Sequence, residues 1–148
     1  NTSAKIIAVM GTPFLEWTLA STACIATPAL HEKFISPNPE SFKIPGIEYV
    51  FGKVVEINTE TKTIILENGS PVEGWSALVV ATGSTMPLIN PTPGCSLEER
   101  MAEVKAAGDA IKAVSERKGT IVVNGPGAVG LELAGDIKSK PQGARVVV

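Results

Sequence analysis

Residues 120–138 decide the fold, and they read TIVVNGPGAVGLELAGDIK. The run Thr120–Val123 has the length and the β-branching of a buried parallel strand. Gly125, Gly127 and Gly130 follow it with the spacing GxGxxG, and the residues after them have the apolar pattern of a helix. A strand, a glycine turn and a helix in this order predict a binding site for the pyrophosphate of a dinucleotide.

Each glycine of this turn has its own expected role. Gly125 would permit the tight turn, Gly127 would let a pyrophosphate approach the backbone, and Gly130 would let the helix press against its strand. From Ala128 onward, the start of the helix supplies free N–H groups and the positive end of the helix dipole. Glycine turns also arise for purely steric reasons, so it is the flanking strand and helix that favour nucleotide binding.

Composition narrows the classes of function. The formal charge is −2 over 148 residues and there is no basic run, which disfavours electrostatic binding to nucleic acid or to a membrane surface. The chain is 44% hydrophobic, enough for a core. No stretch approaches the roughly twenty apolar residues of a membrane span.

Cysteine and histidine usage is sparse. Cys24 and Cys95 lie outside any CxxC or metal-binding pattern, so free, buried thiols in a reducing, intracellular compartment are expected. A disulfide-exchange centre and a metal site are therefore both disfavoured. His31 is the single histidine, and without a partner cluster it is not expected to act as a ligand or a base.

The remaining sequence alternates between strand and helix patterns. In chain order, the patterns predict a buried strand over Lys5–Val9, a helix within Phe14–Ala26, a loop over Phe34–Ile44, an antiparallel meander of Ile47–Phe51, Lys53–Ile57 and Thr63–Leu66, a buried strand over Trp75–Ala81, a loop over Pro87–Pro93, an amphipathic helix over Leu97–Val114, and a final strand over Ala144–Val148.

Two of these strands demand more partners than the chain offers. Lys5–Val9 and Thr120–Val123 both have the composition of strands buried on both faces. We therefore expect unpaired sheet edges, gaps filled by other copies of the chain, or an unusual rearrangement. The start at Asn1 without a methionine adds the expectation that the chain is an internal fragment of a longer protein.

Two stretches together resemble a known family. One part of the chain resembles the two-dinucleotide flavoproteins of the pyridine-nucleotide oxidoreductase superfamily. It consists of Leu78-Val-Val-Ala-Thr82-Gly83-Ser84, then a long helix, and then the GxGxxGxE motif that ends at Glu132. Phe14-Leu-Glu-Trp-Thr18 and Gly52-Lys-Val-Val-Glu-Ile57 look most like its apoptosis-inducing-factor-like branch, which includes the ferroptosis suppressors. The resemblance runs through nearly the whole chain.

The resemblance implies an α/β fold, a partial FAD/NAD(P)-linked reductase fold with Rossmann-type parallel strands and an antiparallel β-meander. Residues 1–88 would be part of the FAD-binding domain, from its second strand through the meander to the Ala-Thr-Gly strand. Residues 89–148 would be the first part of the NAD(P)H-binding domain.

Site residues follow from the same resemblance. It places Val54 against the adenine of FAD, the turn Ala81-Thr82-Gly83 against the flavin cofactor, and Glu132 near the nicotinamide. A turn that ends a buried strand also lies where α/β proteins bind ligands. The alternatives are a core valine, an ordinary Gly-Ser turn, and a carboxylate stabilised by the helix dipole.

The function implied is a flavin-dependent oxidoreductase that passes hydride from NAD(P)H to FAD and electrons to a quinone-like acceptor. A homo-oligomer is the assembly we expect. No CxxxxC pair is present in this segment, which argues against a disulfide substrate. The catalytic residues are not identified.

Departures from the family pattern support one rival. Met10-Gly11 stands where the family has an acid after the second FAD strand, and no arginine lies near Thr22, where many relatives carry one. A nucleotide-binding protein without turnover is thus one alternative, and the 148 residues alone are expected to hold FAD poorly. The other, a non-flavin Rossmann dehydrogenase, is disfavoured by the meander.

Overall fold

The fold was obtained as a computed structural model, and it describes residues 4–37, 39–41, 43–140 and 143–148. The strands are β1 (Ile6–Met10), β2 (Leu15–Glu16), β3 (Ile35–Ser36), β4 (Ile47–Phe51), β5 (Val54–Asn58), β6 (Thr63–Leu66), β7 (Pro71–Glu73), β8 (Thr120–Val122) and β9 (Arg145–Val147). The α-helices are α1 (Ser21–Ala26), α2 (His31–Phe34), α3 (Leu97–Glu116) and α4 (Ala128–Lys138), and 3₁₀ turns cover Thr18–Ala20, Pro28–Leu30 and Pro39–Ser41.

Parallel and antiparallel pairs coexist, as the predicted fold class requires. β1 pairs in parallel with β4, and β8 pairs in parallel with β9. β5, β6 and β7 form the antiparallel meander, with an irregularity between Val54 and Glu56, and β2 pairs with β3. Each strand of the two parallel pairs has a single strand partner among the described residues, which confirms the expected unpaired edges.

The prediction that Ile47–Phe51 is the first strand of the meander is wrong. Ile47–Phe51 lies alongside β1, with Ile6 opposite Ile47, and the pairing continues as the Gly52 N–H donates to the Met10 carbonyl at 2.9 Å. Alternation of apolar and polar residues identifies a strand but not its partner. The third meander strand is instead β7, whose Pro71 lies at a sheet edge that needs no N–H donor.

The predicted buried strand over Trp75–Ala81 is wrong. This segment has no regular secondary structure, and Val79 is 85% exposed. A strand needs a partner for its backbone groups, and no described strand pairs with this one. β8 pairs only with β9 among the described residues, and its Val122 is 70% exposed, so that strand is not buried on both faces.

The predicted helix over Phe14–Ala26 is an α-helix only in its last part. Leu15–Glu16 pairs as a strand with β3, and the Trp17 N–H donates to the Phe34 carbonyl at 2.8 Å. Helical structure is confined to a 3₁₀ turn and the six residues of α1. Pairing with β3 overrides the local helical spacing, and it also puts a short strand into the predicted loop over Phe34–Ile44.

The long amphipathic helix is confirmed as α3. Ser96 caps it: its hydroxyl accepts from the Glu99 N–H, and the Glu99 carboxylate accepts from the Ser96 N–H at 2.7 Å. Hydrogen bonding to the Glu99 carboxyl by the Ser96 backbone N–H, and then by the Ser96 side chain, lowers the pKa of Glu99. Such a reciprocal capping box satisfies two N–H groups that the helix itself leaves unpaired.

The core lies where the helices meet, because α1 contacts both α3 and α4. Its buried side chains include Cys24, Ile25, Val104, Ala134 and Ile137. No helix in the described ranges is long and apolar enough to cross a membrane.

Close helix packing makes Gly108 of α3 irreplaceable. An alanine Cβ there would lie 2.1 Å from Pro28 Cγ and 3.0 Å from the Ile25 carbonyl oxygen. We expect Gly108→Ala to lower the free energy of unfolding by roughly 1–3 kcal/mol, the usual cost of overpacking, as measured by urea denaturation.

Gly135 of α4 provides the matched control. A Cβ at Gly135 meets nothing within 4 Å, so Gly135→Ala should raise the free energy of unfolding by up to about 1 kcal/mol through helix propensity alone. Equal effects of the two substitutions would contradict the packing of α3 on the residues around Pro28.

Candidate dinucleotide-binding site

The predicted strand, turn and helix are all present. β8 ends at Val122, the Val123 N–H still donates to the Val147 carbonyl at 2.8 Å, and α4 begins at Ala128. Gly125 has φ +115°, a conformation that side chains disfavour, so it supplies the turn as expected. The residues from 124 to 128 are exposed.

Two glycines of the motif have opposite surroundings. A Cβ on Gly130 would lie 2.0 Å from the Gly125 carbonyl oxygen, so only glycine allows α4 to start this close to the turn. A Cβ on Gly127 would meet nothing within 4 Å, and its φ of −71° is open to any residue. Packing therefore explains Gly130, whereas at Gly127 the protein leaves open space.

The N-terminus of α4 faces that open space without a cap. Gly127 is the N-cap residue and has no side chain to cap the helix, and the first turn contains no acidic residue. The Leu131 N–H donates to the Gly127 carbonyl at 3.0 Å, and the N–H groups before it have no partner within a helix. An uncapped helix N-terminus of this kind suits a phosphate group.

Glu132 lies one turn beyond Ala128 on the exposed side of α4, whereas Ala134 and Ile137 are buried. Residues four apart share a helix face. The structure thus brings together the five predicted residues of the motif: Gly125, Gly127, Ala128, Gly130 and Glu132.

The residues expected to contact FAD lie in other elements. Val54 is half-buried in β5, opposite Leu66. Ala81, Thr82 and Gly83 lie in an exposed, irregular segment, where Gly83 has φ +68° and a Cβ on it would meet nothing within 4 Å. The turn therefore has open space beside it, but no strand among the described residues holds it in place.

The end of β1 is covered by the chain itself. The Gly11 carbonyl accepts from the Gly94 N–H at 2.7 Å, and Pro93 packs 3.3 Å from the position of a Gly11 Cβ. Because Met10 and Gly11 carry no carboxylate, this strand end offers no acidic contact to a ribose.

The sequence analysis does not predict one cluster, which is formed by Glu16, His31 and Arg100. Arg100 of α3 is buried, and its guanidinium pairs with the carboxylate of Glu16 in β2. His31 Nε2 lies 3.4 Å from Glu16 Oε1. The histidine therefore lies beside this ion pair, although the sequence shows no partner cluster. The available signal was an arginine placed between Leu97 and Val104 on the apolar face of the helix.

A family described as pyridine nucleotide-disulphide oxidoreductase matches residues 2–148. The chain belongs to this family.

The chain is also similar to proteins from two Xenopus species. Ferroptosis suppressor protein 1 of Xenopus tropicalis is 32% identical over 91 residues, which is 62% of this chain and 23% of that protein. The Xenopus laevis protein of the same name is 30% identical over 125 residues, 81% of this chain and 30% of that protein. The chain therefore matches about a quarter to a third of the length of these relatives.

A solved structure shows the same fold. NADH:rubredoxin oxidoreductase from Clostridium acetobutylicum superposes with a TM-score of 0.55 at 15% sequence identity, covering 95% of this chain and 37% of that one. This likeness confirms the predicted α/β fold.

The family name mentions disulphides, yet both cysteines of this chain are free. Burial raises the pKa of the Cys24 thiol, and the charge of Glu16 raises it further. Burial also raises the pKa of Cys95. Fewer thiolates make both side chains poor nucleophiles. No cluster of three His, Cys, Asp or Glu side chains suited to a metal occurs in the part of the chain that the structure describes.

The contact between α4 and its turn predicts a specific sensitivity. Gly130→Ala should lower the free energy of unfolding by roughly 1–3 kcal/mol, because the new methyl group collides with the Gly125 carbonyl. Gly127→Ala should cost less than about 1 kcal/mol, the penalty for alanine at an N-cap. Urea denaturation of both variants measures the difference, and a smaller loss for Gly130→Ala would contradict this geometry.

Proposed function

We propose that this chain is the segment of a flavin-dependent NAD(P)H oxidoreductase that binds the nicotinamide dinucleotide over Gly125–Glu132. The observation that carries the proposal is the open space over Gly127, bordered by an uncapped helix N-terminus, where a Cβ would meet nothing within 4 Å. Family membership supports the same assignment.

The residues of the turn divide the work of binding. The N–H groups at the start of α4, from Ala128 onward, would hold the pyrophosphate, and the bare backbone of Gly127 would let it approach. Glu132 lies further along the same exposed side of α4, towards the expected place of the nicotinamide ring. When bound, the cofactors supply the chemistry: hydride moves from NAD(P)H to FAD, and the electrons then pass to a quinone-like acceptor.

The residues of this chain fit FAD less completely than they fit NAD(P)H. Val54 and the turn Ala81–Gly83 are the candidate contacts, and the space beside Gly83 is open. The strand end at Gly11 carries no acid. Since the chain matches 23–30% of the length of its relatives, we infer that the other contacts come from further parts of the full-length protein. A homo-oligomer and an intracellular location stay predictions.

A second candidate is a nucleotide-binding protein without turnover. One observation favours it: Pro93 and Gly94 pack on Gly11 at the strand end where the family has an acid. In this alternative the NAD(P)H turn is retained and the flavin site is degenerate.

Nucleotide binding is tested at Gly127. Gly127→Val in the full-length protein should weaken NADH binding at least about tenfold, because the side chain fills the space that the pyrophosphate needs. Fluorescence titration with NADH measures the affinity, and circular dichroism checks the fold. Gly135→Ala, on the same helix but with open space around it, should bind as the unmodified protein does. Equal affinity of the valine variant would refute the site.

Flavin dependence separates the two candidates. The full-length protein should purify yellow and oxidise NADH faster with a quinone acceptor than with oxidised glutathione. The 148-residue chain alone should be colourless, because each missing charge-assisted contact to FAD is worth roughly 1.5–3 kcal/mol. Absorbance at the flavin bands and steady-state rates measure this. If the full-length protein stays without flavin after reconstitution with FAD, the binding-only function is the correct one.

A further inference from the structure

Arg100 carries a buried positive charge outside the nucleotide turn. Its side chain is 0% exposed and that of Glu16 is 2% exposed. The two form a two-pronged ion pair, with Nε to Oε2 at 2.8 Å and Nη2 to Oε1 at 2.8 Å. Burial lowers the pKa of Arg100, but hydrogen bonds to Glu16 and Glu103 outweigh this and leave the pKa above its ordinary value.

The same guanidinium also binds the predicted loop over Pro87–Pro93, which lies between the two predicted domains and is called the boundary loop below. Nη2 donates to the carbonyl oxygens of Leu88 at 3.0 Å and Ile89 at 3.1 Å, on either side of the predicted boundary. Leu88 has φ +69°, a conformation that costs a leucine free energy. Arg100 therefore joins β2, the boundary loop and α3 through one planar group.

α3 connects this group to the nucleotide turn. Three residues after the helix ends, the Gly119 N–H donates to the Val114 carbonyl and the Gly119 carbonyl accepts from the Arg145 N–H, both at 2.9 Å. β8 begins at the next residue and leads into the glycine turn. A few hydrogen-bonded residues thereby connect α3 to the strand that leads into the turn.

Stability alone is a poor explanation for such a pair. Replacing a buried ion pair with apolar side chains of similar volume is often neutral or stabilising, because desolvation offsets the attraction between the charges. What apolar side chains cannot reproduce is the fixed orientation of a bidentate arginine–carboxylate contact.

We propose that Glu16 and Arg100 are a positioning pair that fixes residues 89–148 against residues 1–88, and so sets the nicotinamide against the flavin for hydride transfer. This inference rests on the proposed function. Neither residue is expected to touch a cofactor. Their effect is on geometry, and a displacement of about 1 Å between reacting groups lowers a rate by up to about a hundredfold.

The test uses two variants of the full-length protein. Glu16→Met with Arg100→Met removes both charges while keeping similar volume, so the fold is expected to survive. Arg100→Lys keeps the charge but loses the planar fork, and it serves if the double variant does not fold. The control is Lys105→Met, which breaks the exposed ion pair of Lys105 with Asp109 on the same helix.

Stopped-flow reduction of the flavin by NADH gives the first readout. We expect the rate at saturating NADH to fall at least about tenfold in the flavin-loaded fraction, with the NADH dissociation constant changed less than about twofold. The control should match the unmodified protein. A purely structural role would lower flavin content or stability but leave the rate of the loaded fraction unchanged, and that result overturns the proposal.

Hydrogen–deuterium exchange gives a second readout that needs no flavin. Exchange should rise across residues 86–95 in both variants, while β1 and β8 keep their protection. Unchanged exchange in this loop overturns the proposal even if the unmodified protein proves unable to bind flavin or to be reduced by NADH. Those latter failures count against the proposed function, and the exchange result then decides by itself whether the pair fixes the two parts.

Discussion

A buried guanidinium has to be neutralised, and the arrangement around Arg100 follows from that requirement. Its side chain lies on the apolar side of α3 and is fully buried, so solvent cannot supply hydrogen-bond acceptors to it. The acceptors come instead from the carboxylates of Glu16 and Glu103 and from the backbone carbonyls of Leu88 and Ile89. Meeting them requires β2 to lie against α3 and the boundary loop to fold back over the helix. α1, which follows β2, then packs against both α3 and α4.

Glycines in one motif can be present for different reasons, and the surroundings separate them. Gly130 is glycine because the Gly125 carbonyl oxygen occupies the place of a side chain. At Gly127 nothing in the protein competes for the space, so a steric explanation is missing. An unfilled position beside free helix N–H groups is what a phosphate ligand needs. Motif spacing by itself does not make this distinction, whereas the atoms around each glycine do.

Local features were predictable from sequence, and contacts between distant residues were not. The strand, turn and helix around Gly127, the helix α3 and the β5–β6 hairpin each depend on residues close together in the chain. The partner of Ile47–Phe51 depends on a strand some forty residues earlier, and alternation carries no information about it. Trp75–Ala81 has the sequence of a buried strand, but no described strand pairs with it and Val79 is exposed. The pairing of Glu16 with Arg100 spans 84 residues, and only the placement of an arginine among apolar helix positions hinted at it.

The exposed segment around Val79 has a consequence for handling the protein. Its β-branched residues favour extended backbone, and no backbone hydrogen bond joins Leu78–Ala81 to another described residue. Unpaired N–H and C=O groups beside apolar side chains form a template onto which another extended chain can add. At high concentration we expect a second molecule with the same segment to be such a chain. Self-association through this segment would then grow steeply with concentration, and a charged residue in place of Val79 would suppress it without touching the helical core.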